Sequence, residues 1–132
     1  VATFAQVTNG NFRLIKSLAP GDFTYLLQAT KETPKRLQHS KRKTIGIRLP
    51  GSPFLKLLLE ELDEPLFSST LIFPDEEEAL SDVEDIKDRI EREVDLIIGS
   101  GTLVHEPTTI INLTGSSPEI IRQGRGLAEN LK

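Results

Sequence analysis

The stretch from Pro107 to Gly115, P-T-T-I-I-N-L-T-G, most constrains what this chain folds into. Thr108, Thr109, Ile110, Ile111 and Leu113 are β-branched or aliphatic and lie between a proline and a glycine. That is a strand signature, and its mostly apolar or small side chains predict cover on both faces. Two neighbouring runs read as strands too: Val94 to Ile98, closed by Gly99-Ser100-Gly101, and Glu119 to Gly124, E-I-I-R-Q-G. Together they predict a mixed-sheet core whose strand ends carry hydroxyls and an arginine. Strand ends and the loops after them are where such sheets bind ligands.

Upstream, Asn9 to Leu18 reads as a helix with Thr8 as N-cap and Phe12, Ile15 and Leu18 on one face. A turn at Ala19-Pro20-Gly21-Asp22 leads to a strand from Phe23 to Ala29. Thr33 and Pro34 are placed to cap and open a short helix. Thr44 to Leu49 alternates, with Ile45, Ile47 and Leu49 on one face and Gly46 and Arg48 on the other. Pro53 to Leu62 is apolar around much of a helical circumference and is expected to be a buried helix. Pro65 to Phe73 is expected to be a buried strand. Ser81, with Glu84 three residues on, predicts a capping box for a helix to about Glu91. The tail from Gly124 to Lys132 is expected to be loose. Neither a repeat nor a low-complexity linker interrupts the chain, which predicts a single unit.

With 132 residues the chain is one domain or part of one. A chain of that size removes roughly two thirds of its unfolded surface on folding. It has no cysteine, which excludes disulfides and thiolate chemistry and fits a cytoplasmic location. No apolar run approaches the roughly 20 residues that span a bilayer, so no membrane partner is expected. The chain opens on Val1 and holds no methionine, so a fragment is expected.

Net charge is −4, but it is unevenly spread. Lys31, Lys35, Arg36, Lys41, Arg42, Lys43 and Arg48 face one acid, Glu32, within residues 31–48. Glu60 to Asp95 holds fifteen of the twenty acids. The basic segment can attract polyanions despite the acidic total. Its lysines and arginines suit phosphate contact with RNA or a nucleotide, although a solvated loop has the same composition. Arg48 alternates with core residues in a strand and calls for an anion or a carboxylate. Ser68-Ser69-Thr70 and Thr108-Thr109 offer hydroxyls to a phosphate or carboxylate, or else cap the loops beside them. Arg122, with Gly124 and then Arg125-Gly126, can approach a triphosphate. His39 and His105, the two histidines, read as surface residues, and Glu76 to Glu78 as a solvated run. No Walker sequence, G-x-G-x-x-G or H-E-x-x-H occurs, which leaves nucleotide-borne Mg²⁺ as the divalent ion to consider.

Six strings occur in order: P-G-D-F-T-Y-L-L-Q-A-T, K-R-K-T-I-G-I-R-L-P, L-D-E-P-L-F-S-S-T, V-D-L-I-I-G-S-G, P-T-T-I-I-N-L-T-G and I-I-R-Q-G-R-G. From about Phe12 to Gly126 the series resembles the YrdC-like superfamily, and most closely its YciO branch. The resemblance implies an α+β domain, a twisted mixed sheet with flanking helices around a concave, positively charged surface. It implies binding of double-stranded RNA or tRNA, for which the basic cluster offers Lys35, Arg36, Lys41, Arg42, Lys43 and Arg48 as the expected contacts. It also implies nucleotide and substrate contacts at Thr70, Thr108, Arg122 and Arg48. The best-understood branch makes threonylcarbamoyl-adenylate from ATP, threonine and bicarbonate for tRNA modification, so ATP with Mg²⁺ is the expected small-molecule ligand. Two departures weigh on that activity. Ile72 stands where the branch has the asparagine of its S-x-N element, and the K-x-R element with its proline/threonine-rich loop has no counterpart here. An N-terminally truncated domain with exposed apolar strand surface and a tendency to self-associate is therefore expected.

Overall fold

The computed structural model describes residues 1–103 and 106–131. These form two compact units, Val1–Phe67 with Pro107–Lys132, and Ser68–Glu106. His105 lies outside the described residues.

The first unit carries helix α1 (Asn9–Leu18), strands β1 (Phe23–Gln28) and β2 (Thr44–Arg48), helix α2 (Pro53–Leu62), and strands β3 (Thr109–Asn112) and β4 (Glu119–Arg122). The strands make one sheet in the order β2-β1-β3-β4. β1 runs antiparallel to β2 and parallel to β3, and β3 runs antiparallel to β4, so the sheet is mixed. A register shift between Ile110 and Ile111 interrupts the last pairing. Together with the helices this is the α+β architecture expected.

Alternation decides the two faces of the sheet. Phe23, Tyr25 and Leu27 of β1 and Ile111 of β3 point into the core with Ile15 of α1, Ala5 and Leu113. Ile45 and Ile47 of β2 pack against them. α1 starts where Thr8 accepts a hydrogen bond from the Asn11 amide, as its sequence predicts. The Asn11 side chain then reaches the Leu113 carbonyl at 3.2 Å and ties the helix to the end of β3.

Several expectations fail. α2 spans the predicted residues but contains no buried residue, and Phe54 and Leu57 are exposed. The sheet's core face is already covered by α1, and an apolar circumference states what a helix prefers without supplying it. Residues 65–73 and 94–98 form no strand, and Phe67 and Leu96 are exposed. A strand needs a neighbour for its backbone donors and acceptors, which hydrophobicity alone does not provide. Residues 35–37 form a single 3₁₀ turn without a side-chain cap. Thr33, expected to cap it, instead donates its hydroxyl to the Phe4 carbonyl. The tail is not loose: Ala128 and Leu131 pack on the core, and residues 129–131 make a 3₁₀ turn. All of β4 is solvent-exposed, and Ile120 and Ile121 form the apolar strand surface anticipated from the sequence.

The second unit contains α3 (Val83–Ile90). Its cap is Asp82 rather than Ser81, accepting from the amides of Glu84 and Asp85 at 3.0 and 3.2 Å. A carboxylate at the positive end of the helix gains charge as well as hydrogen bonds. Glu76 pairs with Arg89 at 2.7 Å, and the Arg89 guanidinium lies 4.0 Å from the Phe73 ring centroid. The acidic run is thus anchored at its first residue rather than solvated throughout.

Candidate functional site

The face of the sheet opposite the core carries Thr24, Arg48 and Arg122. Thr24 stands opposite Arg48 in the β1–β2 register and beside Ile110 of β3. Ile110 in turn pairs with Arg122 of β4. One row across the sheet therefore runs Arg48, Thr24, Ile110, Arg122. Thr108, just before β3, joins it: its Oγ1 is 2.8 Å from Thr24 Oγ1.

Arg122 is held along one edge only. Its Nε and Nη2 donate to the Thr108 carbonyl at 3.1 and 2.8 Å, and Nη2 also reaches Thr108 Oγ1 at 3.3 Å. The remaining nitrogen, Nη1, has no protein acceptor among the described residues, so two N–H donors face outward. Neither Arg122 nor Arg48 is in an ion pair among the described residues. Arg48 is exposed, so water satisfies the charge that the sequence left wanting a partner. Glu119 sits at the other end of β4, opposite Asn112.

The cluster exists because the chain after β4 folds tightly onto the start of β3. At Gly124 a Cβ would lie 2.1 Å from the Pro107 carbonyl oxygen, a distance only glycine permits. Thr109, fully buried, accepts the Gly124 amide at 2.9 Å and donates to the Gly126 carbonyl at 2.7 Å. Arg125 closes the corner with a 2.8 Å ion pair to Asp22.

Of the small-ligand residues expected from the sequence, Arg48, Thr108 and Arg122 are brought onto one face. Thr70 belongs to the second unit, exposed, its carbonyl accepting from the Ile72 amide at 3.1 Å. Thr24 was missed. Its only signal was the alternation of β1, which puts it on the polar side of a strand. For Thr109 the sequence leaves open a ligand contact or a cap of the adjacent loop; its hydroxyl binds backbone, but that of a segment 15 to 17 residues on.

The basic residues divide. Lys41, Arg42 and Lys43 are exposed in the loop before β2, at the opposite end of that strand from Arg48. Four residue steps at 3.4 Å separate Thr44 from Arg48 by about 14 Å. Gln28, on the same face as Thr24, donates to the carbonyls of Arg42 and Lys43 at 3.0 and 3.2 Å and draws the loop to that face. His39 Nδ1 accepts from the amides of Lys41 and Arg42, so this exposed histidine shapes the loop. Lys35 and Arg36 sit exposed in the preceding 3₁₀ turn. Among the described residues no group of three acidic or histidine side chains is placed to hold a metal ion, and no helix is long and apolar enough to cross a membrane.

Comparison with known proteins follows the same fold. The Sua5/YciO/YrdC family model, described as telomere recombination, matches residues 1–124. The uncharacterized protein YciO of Escherichia coli K12 is 48% identical over 126 residues, which are 96% of this chain and 61% of that protein. An uncharacterized protein of Haemophilus influenzae is 50% identical over 127 residues, with the same shares. The crystal structure of E. coli YciO superposes with a TM-score of 0.91 at 46% identity, covering 99% of this chain and 64% of that one. P. abyssi Sua5 complexed with L-threonine gives 0.81 at 19% identity over 92% of this chain and 36% of that one, a likeness of fold alone. The chain thus spans about three fifths of the length of the curated relatives it matches. By sequence and by fold it belongs to the Sua5/YciO/YrdC family.

Proposed function

We propose that this domain binds phosphate-bearing ligands, RNA foremost, on the open face of its sheet. The observation that carries the reading is the row of Arg48, Thr24, Thr108 and Arg122, with two arginines that pair with no carboxylate among the described residues and a guanidinium held by one edge. Charge-assisted donors that are fixed before the anion arrives lose little freedom on binding. The basic loop of Lys41, Arg42 and Lys43, about 14 Å along the strand, offers a second anchor at a spacing suited to a polyanion. Lys35 and Arg36 extend that charge.

RNA held mainly through phosphates releases counterions, so its affinity falls steeply with salt. Filter binding of tRNA across an ionic-strength series is expected to give a linear log–log decline. A flat response, or none, overturns the reading.

A second reading is adenylate formation from ATP, threonine and bicarbonate, with Mg²⁺ accompanying the nucleotide. It is favoured by the scale of the Arg122–Thr108–Thr24 cluster, which suits a single phosphate group. Two neighbours of the same fold are Sua5 complexed with L-threonine and HypF in a phosphate- and nucleotide-bound form. Here Arg48 and Arg122 position phosphates, and Thr108 hydrogen-bonds nucleotide or threonine. The gain is electrostatic positioning rather than covalent catalysis. Pyrophosphate release that requires both threonine and bicarbonate supports it; release indifferent to either does not.

A further inference from the structure

We infer that Thr109 is a positioning residue for the Arg122 anion site, acting through a backbone clasp and never touching the ligand. The inference rests on the anion-binding reading of this face. Thr109 is wholly buried and points away from the row that carries Arg122, into the core side of the sheet. Its single hydroxyl nevertheless uses both its donor and its acceptor capacity on the segment that follows β4. It accepts from the Gly124 amide at 2.9 Å and donates to the Gly126 carbonyl at 2.7 Å.

These bonds pull Gly124 down onto the Pro107 carbonyl, where no Cβ fits. Arg122 is two residues earlier on the same strand. Its pairing with Ile110 sets its place in the ladder, and with the following segment seated its guanidinium lies along the Thr108 carbonyl, leaving Nη1 outward. The β4 strand has no buried residue, so its end is held by the β3–β4 ladder, the Arg125 amide on the Pro107 carbonyl and the Thr109 clasp rather than by side-chain packing. A donor–acceptor pair on one hydroxyl is a demanding requirement: serine meets it, while valine has the shape and neither function.

The test compares Thr109→Val with Thr109→Ser in the full protein, alone and combined with Arg122→Ala, using ATP as the probe. The affinity of Thr109→Val for ATP is expected to fall about tenfold, with Thr109→Ser within about twofold of the parent. In the Arg122→Ala background Thr109→Val is expected to change affinity no further. A loss of the same size in that background shows a general structural effect and overturns the inference. A ligand-free readout separates it from the functional reading. The Arg122 Nε–H resonance, protected by the Thr108 carbonyl, is expected to persist in Thr109→Ser and to exchange faster in Thr109→Val. If that resonance is unmoved, the positioning role is wrong. If it moves while Arg122→Ala leaves ATP affinity unchanged, the anion-binding reading is wrong, and the inferred role in binding falls with it.

Discussion

The hydroxyls of Thr24 and Thr108 meet at 2.8 Å across 84 residues of chain. This bond joins the second residue of β1 to the residue before β3, on the open side of the sheet. It leaves the Thr108 carbonyl and hydroxyl available to the Arg122 guanidinium. Thr108 is buried, so its polar atoms cannot turn to water without moving the strand.

Replacement of Thr108 by valine should therefore cost about 1–2 kcal/mol, the penalty for stranding one or two partly buried partners. Thr24→Val, at a more accessible position, should cost less. Urea unfolding checks both: the midpoint should fall with an unchanged m-value.

Gly124→Ala should be among the more damaging single-atom changes in this chain. The new Cβ meets backbone rather than a flexible side chain, at 2.1 Å from the Pro107 oxygen. Overpacking of this kind costs about 1–3 kcal/mol. Gly115→Ala is the control, because its nearest contact beyond its neighbours is 3.8 Å away. That change should stay within about 0.5 kcal/mol in the same thermal or urea assay.

Tyr25 is the single tyrosine, and its hydroxyl is buried without a hydrogen-bond partner among the described residues. Burial raises its pKa above the ordinary 10.0. The folded phenol therefore holds its proton to higher pH than the unfolded one. Stability should be indifferent to this group below pH 10 and should fall as pH rises above it, since the unfolded chain ionises first. Tyr25→Phe should remove that alkaline loss and raise stability at neutral pH by up to about 1 kcal/mol. Tyrosinate absorbance, which reports this residue alone, follows the titration directly.

The basic loop and the arginine row should separate functionally. About 14 Å exceeds the roughly 8 Å screening length at physiological salt, so each contributes almost independently. Alanine at Lys41, Arg42 and Lys43 together should lower the salt slope of tRNA binding by about 2–3, one unit per lost phosphate contact. ATP affinity should change by no more than about twofold in that triple variant. Arg122→Ala should weaken ATP binding and shift the tRNA slope by only about 1.

Short-range chemistry carried much of this structure legibly. Thr8 begins its helix as its side chain predicts, and β2 splits Ile45 and Ile47 from Gly46 and Arg48 by simple alternation. Each of those outcomes depends on bonds within a few residues or on a two-residue period. The apolar runs at 65–73 and 94–98 look just as strand-like, yet neither forms a strand, because pairing is a property of two segments and their sequence names only one. Ser81 lost its cap to Asp82 in a competition that spacing alone could not judge.

The motif order identified the family, and the residues themselves singled out Arg48, Thr108 and Arg122 as side chains capable of holding an anion. What the sequence by itself determined was therefore the periodicity of its elements and the chemistry available to them. Only the tertiary structure decided that three of those side chains share a face with Thr24, that Arg122 is gripped along one edge, and that the basic loop lies at the other end of the strand. The reason is physical: a hydroxyl at position 109 acquires its partners at 124 and 126 only when the chain turns back on itself. No local pattern encodes that distance.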